Sequence, residues 1–232
     1  MKALRHLLMF AAAAVSCSAS AALPSLSGPL RQFEIVRQAL RDELWSIASQ
    51  RADAAAKEKR IAAQAHLAKL EALAGEGRHG EMLKLLDEWN EDAEVFRYWR
   101  AWTLAQLDRK EEARGALRAE FSDPAVSALA HRLLARIDVD AGDRKGAEDN
   151  FRLAAVAVAT NGPLRAENAV EWAQALAATG DAPAAIAVLK SERALEVSGS
   201  AGDFARAQMA ELLDATGRNE EATAIRQGLV EA

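Results

Sequence analysis

Residues 128–161 read ALAHRLLARIDVDAGDRKGAEDNFRLAAVAVATN, and the middle of this stretch decides the fold. Ala141-Gly142-Asp143 is followed by Ala147. The glycine ends one Ala-rich helical stretch, and a small residue comes five positions later in the next. The same signature returns at Thr179-Gly180-Asp181 with Ala185, and at Thr216-Gly217-Arg218 with Ala222. The three glycines stand 38 and 37 residues apart. A period of this size predicts a stacked array of helices.

Composition agrees. Half of the 232 residues are apolar and only 5% are aromatic, so Ala and Leu must build most of the core. That suits close-packed helices. Of the five prolines, Pro24, Pro29, Pro124 and Pro163 are expected in linkers. Pro183 stands where a helix would begin, a position at which its missing N–H costs nothing. No alternating β-branched run appears, so no sheet is expected.

Residues 1–22 have the three parts of a secretory signal peptide. Lys2 and Arg5 form a basic start, Leu7 to Val15 an apolar run, and Ala19-Ser20-Ala21 a small-residue cleavage site. The apolar run is too short to span a bilayer as a helix. Without these residues the chain has 27 Lys and Arg against 34 Asp and Glu, a net charge of −7. An acidic exported chain is a poor match for nucleic acid or anionic lipid. Cys17 is the only cysteine, so no internal disulfide can form. Ala14-Val15-Ser16-Cys17 resembles a bacterial lipobox, with Ala14 in place of the usual Leu. The expectation is a periplasmic or secreted protein, with an outer-membrane lipoprotein acylated at Cys17 as the alternative. In the second case Ser18 to Pro29 would serve as a leash.

The segment 23–62 reads as a linker and a long N-terminal helix. Phe33, Val36, Leu40, Leu44 and Ile47 follow steps of 3, 4, 4 and 3, an apolar seam on one helical face. It is expected either to pack as a cap on the first repeat or to join two copies of the chain.

Residues 63–232 divide into about five helical hairpins. With the turn residue as position 15, the units begin near Ala63, Glu94, Ala128, Ala166 and Asp203. Position 8 holds Leu70, Ala101, Ala135, Ala173 and Ala210, and position 20 holds Met82, Ala113, Ala147, Ala185 and Ala222. Small residues there let two helix backbones approach where they cross. Position 24 holds Leu86, Leu117, Phe151, Leu189 and Arg226, the larger residues that fill the layer between hairpins. At Arg226 the last unit departs, and Ile225 takes the apolar role.

These positions resemble the tetratricopeptide repeat family over about three quarters of the chain. Unit 128–161 matches best, with Ala135, Gly142, Ala147, Phe151 and Ala154 in place. Unit 94–127 carries Asp108 at the turn, and unit 63–93 has Leu70 and Met82 where small residues belong. The resemblance implies an all-α, right-handed solenoid of antiparallel helix pairs whose first helices line a concave groove. The groove positions hold Tyr98, Trp102 and Gln106, then Arg132, Arg136 and Asp140, then Glu167 and Gln174, then Phe204, Glu211 and Asp214. Tyr98 and Trp102 share a helical face, as do Arg132 and Arg136. Together they suggest a clamp for a peptide with an apolar anchor and a carboxylate. The competing reading makes the aromatics core, and pairs the arginines with Asp138 and Asp140.

Catalytic chemistry is not legible. His66, His79 and His131 are scattered, and no cysteine could complete a zinc site with them. No phosphate-binding glycine loop or nucleophile elbow appears. Glu111-Glu112 and Glu220-Glu221 fall where acidic residues commonly open a helix. His131 reads as a packed histidine. The expectation is a non-catalytic scaffold for a protein or peptide partner, without cofactor, metal or nucleic acid. Layout resembles exported repeat scaffolds of the bacterial envelope, which implies a place there and names no partner.

Overall fold

The computed structural model describes residues 28–230. The expected signal peptide, with its expected cleavage site, and Cys17 lie outside the described residues. Among the described residues the fold is all-helical, with no strand. The chain divides into two compact units between Arg118 and Ala119.

The first unit contains α1 (Gly28–Arg41), α2 (Trp45–Ala55), α3 (Ala62–Gly75), α4 (His79–Trp89), α5 (Glu94–Gln106) and α6 (Lys110–Leu117). A 3-10 turn, Lys59–Ile61, leads into α3. The second unit contains α7 (Pro124–Asp140), α8 (Arg144–Ala157), α9 (Gly162–Ala178), α10 (Ala182–Ser191), α11 (Ser200–Ala215) and α12 (Asn219–Val230). Within each unit, helices adjacent in sequence pack on one another.

Six of these helices end in one way. Glu43, Gly77, Asp108, Gly142, Gly180 and Gly217 all adopt the left-handed conformation, with φ between 59° and 83°. The N–H of the following residue donates to the carbonyl five positions back, at 2.8–3.0 Å. The N–H of the left-handed residue donates to the carbonyl three back, at 2.9–3.2 Å. This is the Schellman arrangement, which satisfies carbonyls left unpaired at a helix end. Five of the six residues are the position-15 residues read from the sequence.

The sixth turn corrects the N-terminal reading. The expected long helix is two helices, broken at Glu43. Glu43 lies 34 residues before Gly77. Counted from it, Val36 takes position 8, Ala48 position 20 and Ala52 position 24, and all three are fully buried. The segment is therefore one more unit of the same kind, in which a glutamate occupies the left-handed position. The five-residue seam does not survive the break. Val36 is core, with Phe33 and Leu40 packed on it, whereas Leu44 and Ile47 are 48% and 44% exposed.

The crossing positions behave as the spacing predicts. All ten residues at positions 8 and 20 of the five later units are 0–4% exposed. Leu86, Leu117, Phe151 and Leu189 at position 24 are buried, and Ile225 packs on the core where Arg226 is exposed. Gly75 is one place where backbone and side chain meet closely: a Cβ there would stand 2.5 Å from the ring of Trp45.

Both long spacings have structural causes. Asn161 caps α9 by accepting from the Leu164 N–H at 3.2 Å, with Pro163 in the first turn. Before α11 the chain inserts a 3-10 turn, Ala194–Glu196, whose Ala194 is fully buried. Arg206 of α11 holds this turn by donating to the carbonyls of Leu195, at 2.6 Å, and Val197, at 3.2 Å.

Candidate functional site

Three helices of the second unit carry candidate side chains at matching spacing. On α7 these are Arg132 and Arg136. On α9 they are Glu167, Glu171 and Gln174, at steps of four and three. On α11 they are Phe204, Gln208 and Glu211, at the same steps. Each set lies along one helical face.

The α7 and α9 sets meet. Arg132 Nε donates to Glu171 Oε2 at 3.1 Å, and its Nη2 to Glu171 Oε1 at 2.5 Å. Its Nη1 reaches Glu167 at 3.4 Å. Arg136 donates to the same Glu171 carboxylate at 3.3 and 2.6 Å. The Arg132 side chain is 3% exposed, and those of Glu171 and Glu167 are 10% and 11%. Burial alone would raise the Glu171 pKa. The two guanidinium charges and their hydrogen bonds overcome it and hold the carboxyl at about 2.

The arginine face expected to receive a partner's carboxylate already holds one from within the chain. Arg132 and Arg136 do face one way, as their spacing predicts. They pair with Glu167 and Glu171, a partnership 35 to 39 residues distant that neither sequence reading contained. Arg136 remains about one-third exposed.

The α9 and α11 sets are also joined. Gln174 Nε2 donates to Gln208 Oε1 at 2.7 Å, and Gln208 Nε2 donates to Glu211 at 2.9 Å. Gln174 and Glu211 are exposed, and Phe204 is 42% exposed. Asp214 pairs with Arg226 instead. Gln208 was missed because it falls one turn from the groove positions that the resemblance implies. The repeated 4,3 spacing on α9 and α11 was the available signal. What remains open is a line of amide and carboxylate groups beside an exposed aromatic ring. Such a line can give and take hydrogen bonds along an extended backbone.

The aromatic candidates lie in the first unit, inside its core. Tyr98, Trp99 and Trp102 are 6%, 4% and 3% exposed. Trp99 meets Tyr98 at 6.3 Å and Trp102 at 5.5 Å, both edge-to-face. His79 stands edge-on to Trp102 at 5.5 Å. These three aromatics span an arc of about 100° around the helix, and all of that arc is buried. Of this group only Gln106, at the end of α5, is exposed.

Several other titratable groups have partners within the chain. His66 stacks on Trp89 at 4.0 Å. Glu112 and Glu221 lie in the first turns of α6 and α12 and pair with Arg109 and Arg218. Among the described residues no cluster of three or more His, Cys, Asp or Glu could hold a metal ion. Also among them, no helix is long and apolar enough to cross a membrane. A small apolar cleft of about 60 Å³ lies against Val139, Phe151, Trp172 and Leu176. No family model matches the chain, and comparison with curated proteins finds no match.

Proposed function

We propose that this chain is an exported, non-catalytic scaffold built as a right-handed, tetratricopeptide-like solenoid of antiparallel helix pairs. It holds an extended segment of a protein partner along the α7–α9–α11 face. The observation that carries this reading is the shared spacing of Glu167, Glu171 and Gln174 with Phe204, Gln208 and Glu211. Where the two sets meet, Gln174, Gln208 and Glu211 offer a row of hydrogen-bonding groups beside the exposed Phe204 ring, while Glu167 and Glu171 are held by the arginines of α7. The repeated turn, with buried small residues on either side of it, supports the stacked architecture. The basic and apolar parts of the leader support export, and envelope machinery is the proposed setting.

Site-specific photo-crosslinking in the native host tests the face. A benzophenone side chain at Gln174 is expected to give one discrete partner adduct, and the same probe at exposed Arg152 on α8 to give none. Equal labelling from both positions would sink the assignment. Intact mass of the mature protein separates the free form, beginning at Ala22 or Leu23, from one acylated at Cys17.

A further inference from the structure

His131 of α7 sits at the end of a hydrogen-bonded relay that the scaffold reading does not use. Asn150 of α8 places its Nδ2 between two groups that can only accept. These are Asp138 Oδ2 at 2.8 Å and the Gly146 carbonyl at 3.1 Å. The amide orientation is set by those two contacts. Its Oδ1 therefore points the other way and meets His131 Nδ1 at 3.1 Å. An amide oxygen has no proton to give, so the proton of this contact belongs to the imidazole. Asp138, only 3% exposed, anchors the far end of the relay on the same helix as His131.

We infer that neutral His131 is held as the Nδ1–H tautomer, so that its Nε2 presents a lone pair as a preset acceptor site. Free imidazole side chains favour the opposite tautomer, and the contact at the other ring nitrogen decides which is present. His131 is half-buried, and among the described residues no hydrogen bond reaches its Nε2. The site takes a ligand group that brings an N–H or O–H donor. It stands independently of the α7–α9–α11 assignment, because the three residues involved belong to neither the arginine–glutamate pairs nor the glutamine row.

Nitrogen-15 spectroscopy of the histidine side chains in the full mature protein, at alkaline pH where imidazoles are neutral, tests the inference. The expected spectrum gives His131 a pyrrole-type Nδ1 and a pyridine-type Nε2. Substoichiometric Cu²⁺ serves as a probe of the open nitrogen and is expected to broaden the His131 lines. A pyridine-type Nδ1 in the wild-type spectrum would overturn the assignment, as would His131 lines that stay sharp with Cu²⁺. N150L is expected to return His131 to the ordinary Nε2–H preference. Retention of the Nδ1–H form in that variant would show that Asn150 does not impose it.

Discussion

Arg132 of α7 and Glu171 of α9 are joined by two parallel hydrogen bonds between side chains that are 3% and 10% exposed. Breaking a buried pair typically costs about 3–5 kcal/mol, and removing Arg132 falls at the lower end because Glu171 keeps its bonds to Arg136. R132A is therefore expected to destabilise the second unit by about 3 kcal/mol in urea denaturation. R136A, at a position about one-third exposed, is expected to cost less than half of that. Equal losses would show that the buried geometry is not what counts.

The same pair sets an acid limit. Glu171 titrates lower in the folded chain than in the unfolded one. Its contribution is therefore complete above the unfolded carboxylate pKa, near 4.5, and is lost as pH falls from there towards 2. E171Q is expected to flatten the stability profile in this window, as measured by urea titrations at successive pH values.

Glu71 of α3 works in the opposite sense. Burial raises its pKa from 4.5 to about 7. The folded chain thus holds a proton that the unfolded chain releases. The cost of folding is absent below pH 4.5, grows between 4.5 and 7, and is complete above 7. E71Q is expected to stabilise the protein at pH 8 by about 3 kcal/mol and to leave it nearly unchanged at pH 4. A gain independent of pH would rule out this cause.

The repeated turn predicts opposite effects at two of its copies. Gly180, at φ 83°, occupies a backbone region costly to any residue with a Cβ. G180A is expected to lower stability by about 1 kcal/mol. Asp108 already bears that strain at φ 59°, so D108G should be neutral or stabilising. Thermal melts of the two variants decide it, and melting temperatures that fall alike would contradict the shared geometry.

At Gly75 the reason for glycine is contact, since its φ is helical. A methyl group there would press into the Trp45 ring. G75A is expected to cost about 1–3 kcal/mol through overpacking, despite the helix propensity it gains. The double variant G75A/W45L should recover part of that loss.

Much of the helical register was legible because glycine in a left-handed turn and alanine at a helix crossing each leave a mark. Gly142, Gly180 and Gly217 identify turns, and Ala135, Ala147, Ala173 and Ala185 identify crossings. The unit around Glu43 escaped because neither mark is complete there. A glutamate bears the positive φ, and Val36 stands at the first crossing. The arginine face was legible, but its occupants were not. Glu167 and Glu171 lie on another helix, and local spacing cannot report a partner that only packing brings near. The Tyr98 and Trp102 faces failed for the same reason, because which side of a helix is covered depends on its neighbours.

The six turns have a kinetic consequence. Each closes within six residues, so the entropy of bringing its ends together is small. Contacts between adjacent helices also join residues close in sequence. Chains dominated by such local contacts reach their native state within microseconds to milliseconds. A newly synthesised chain of this kind can order each helix pair as it emerges, before the rest of the sequence has arrived.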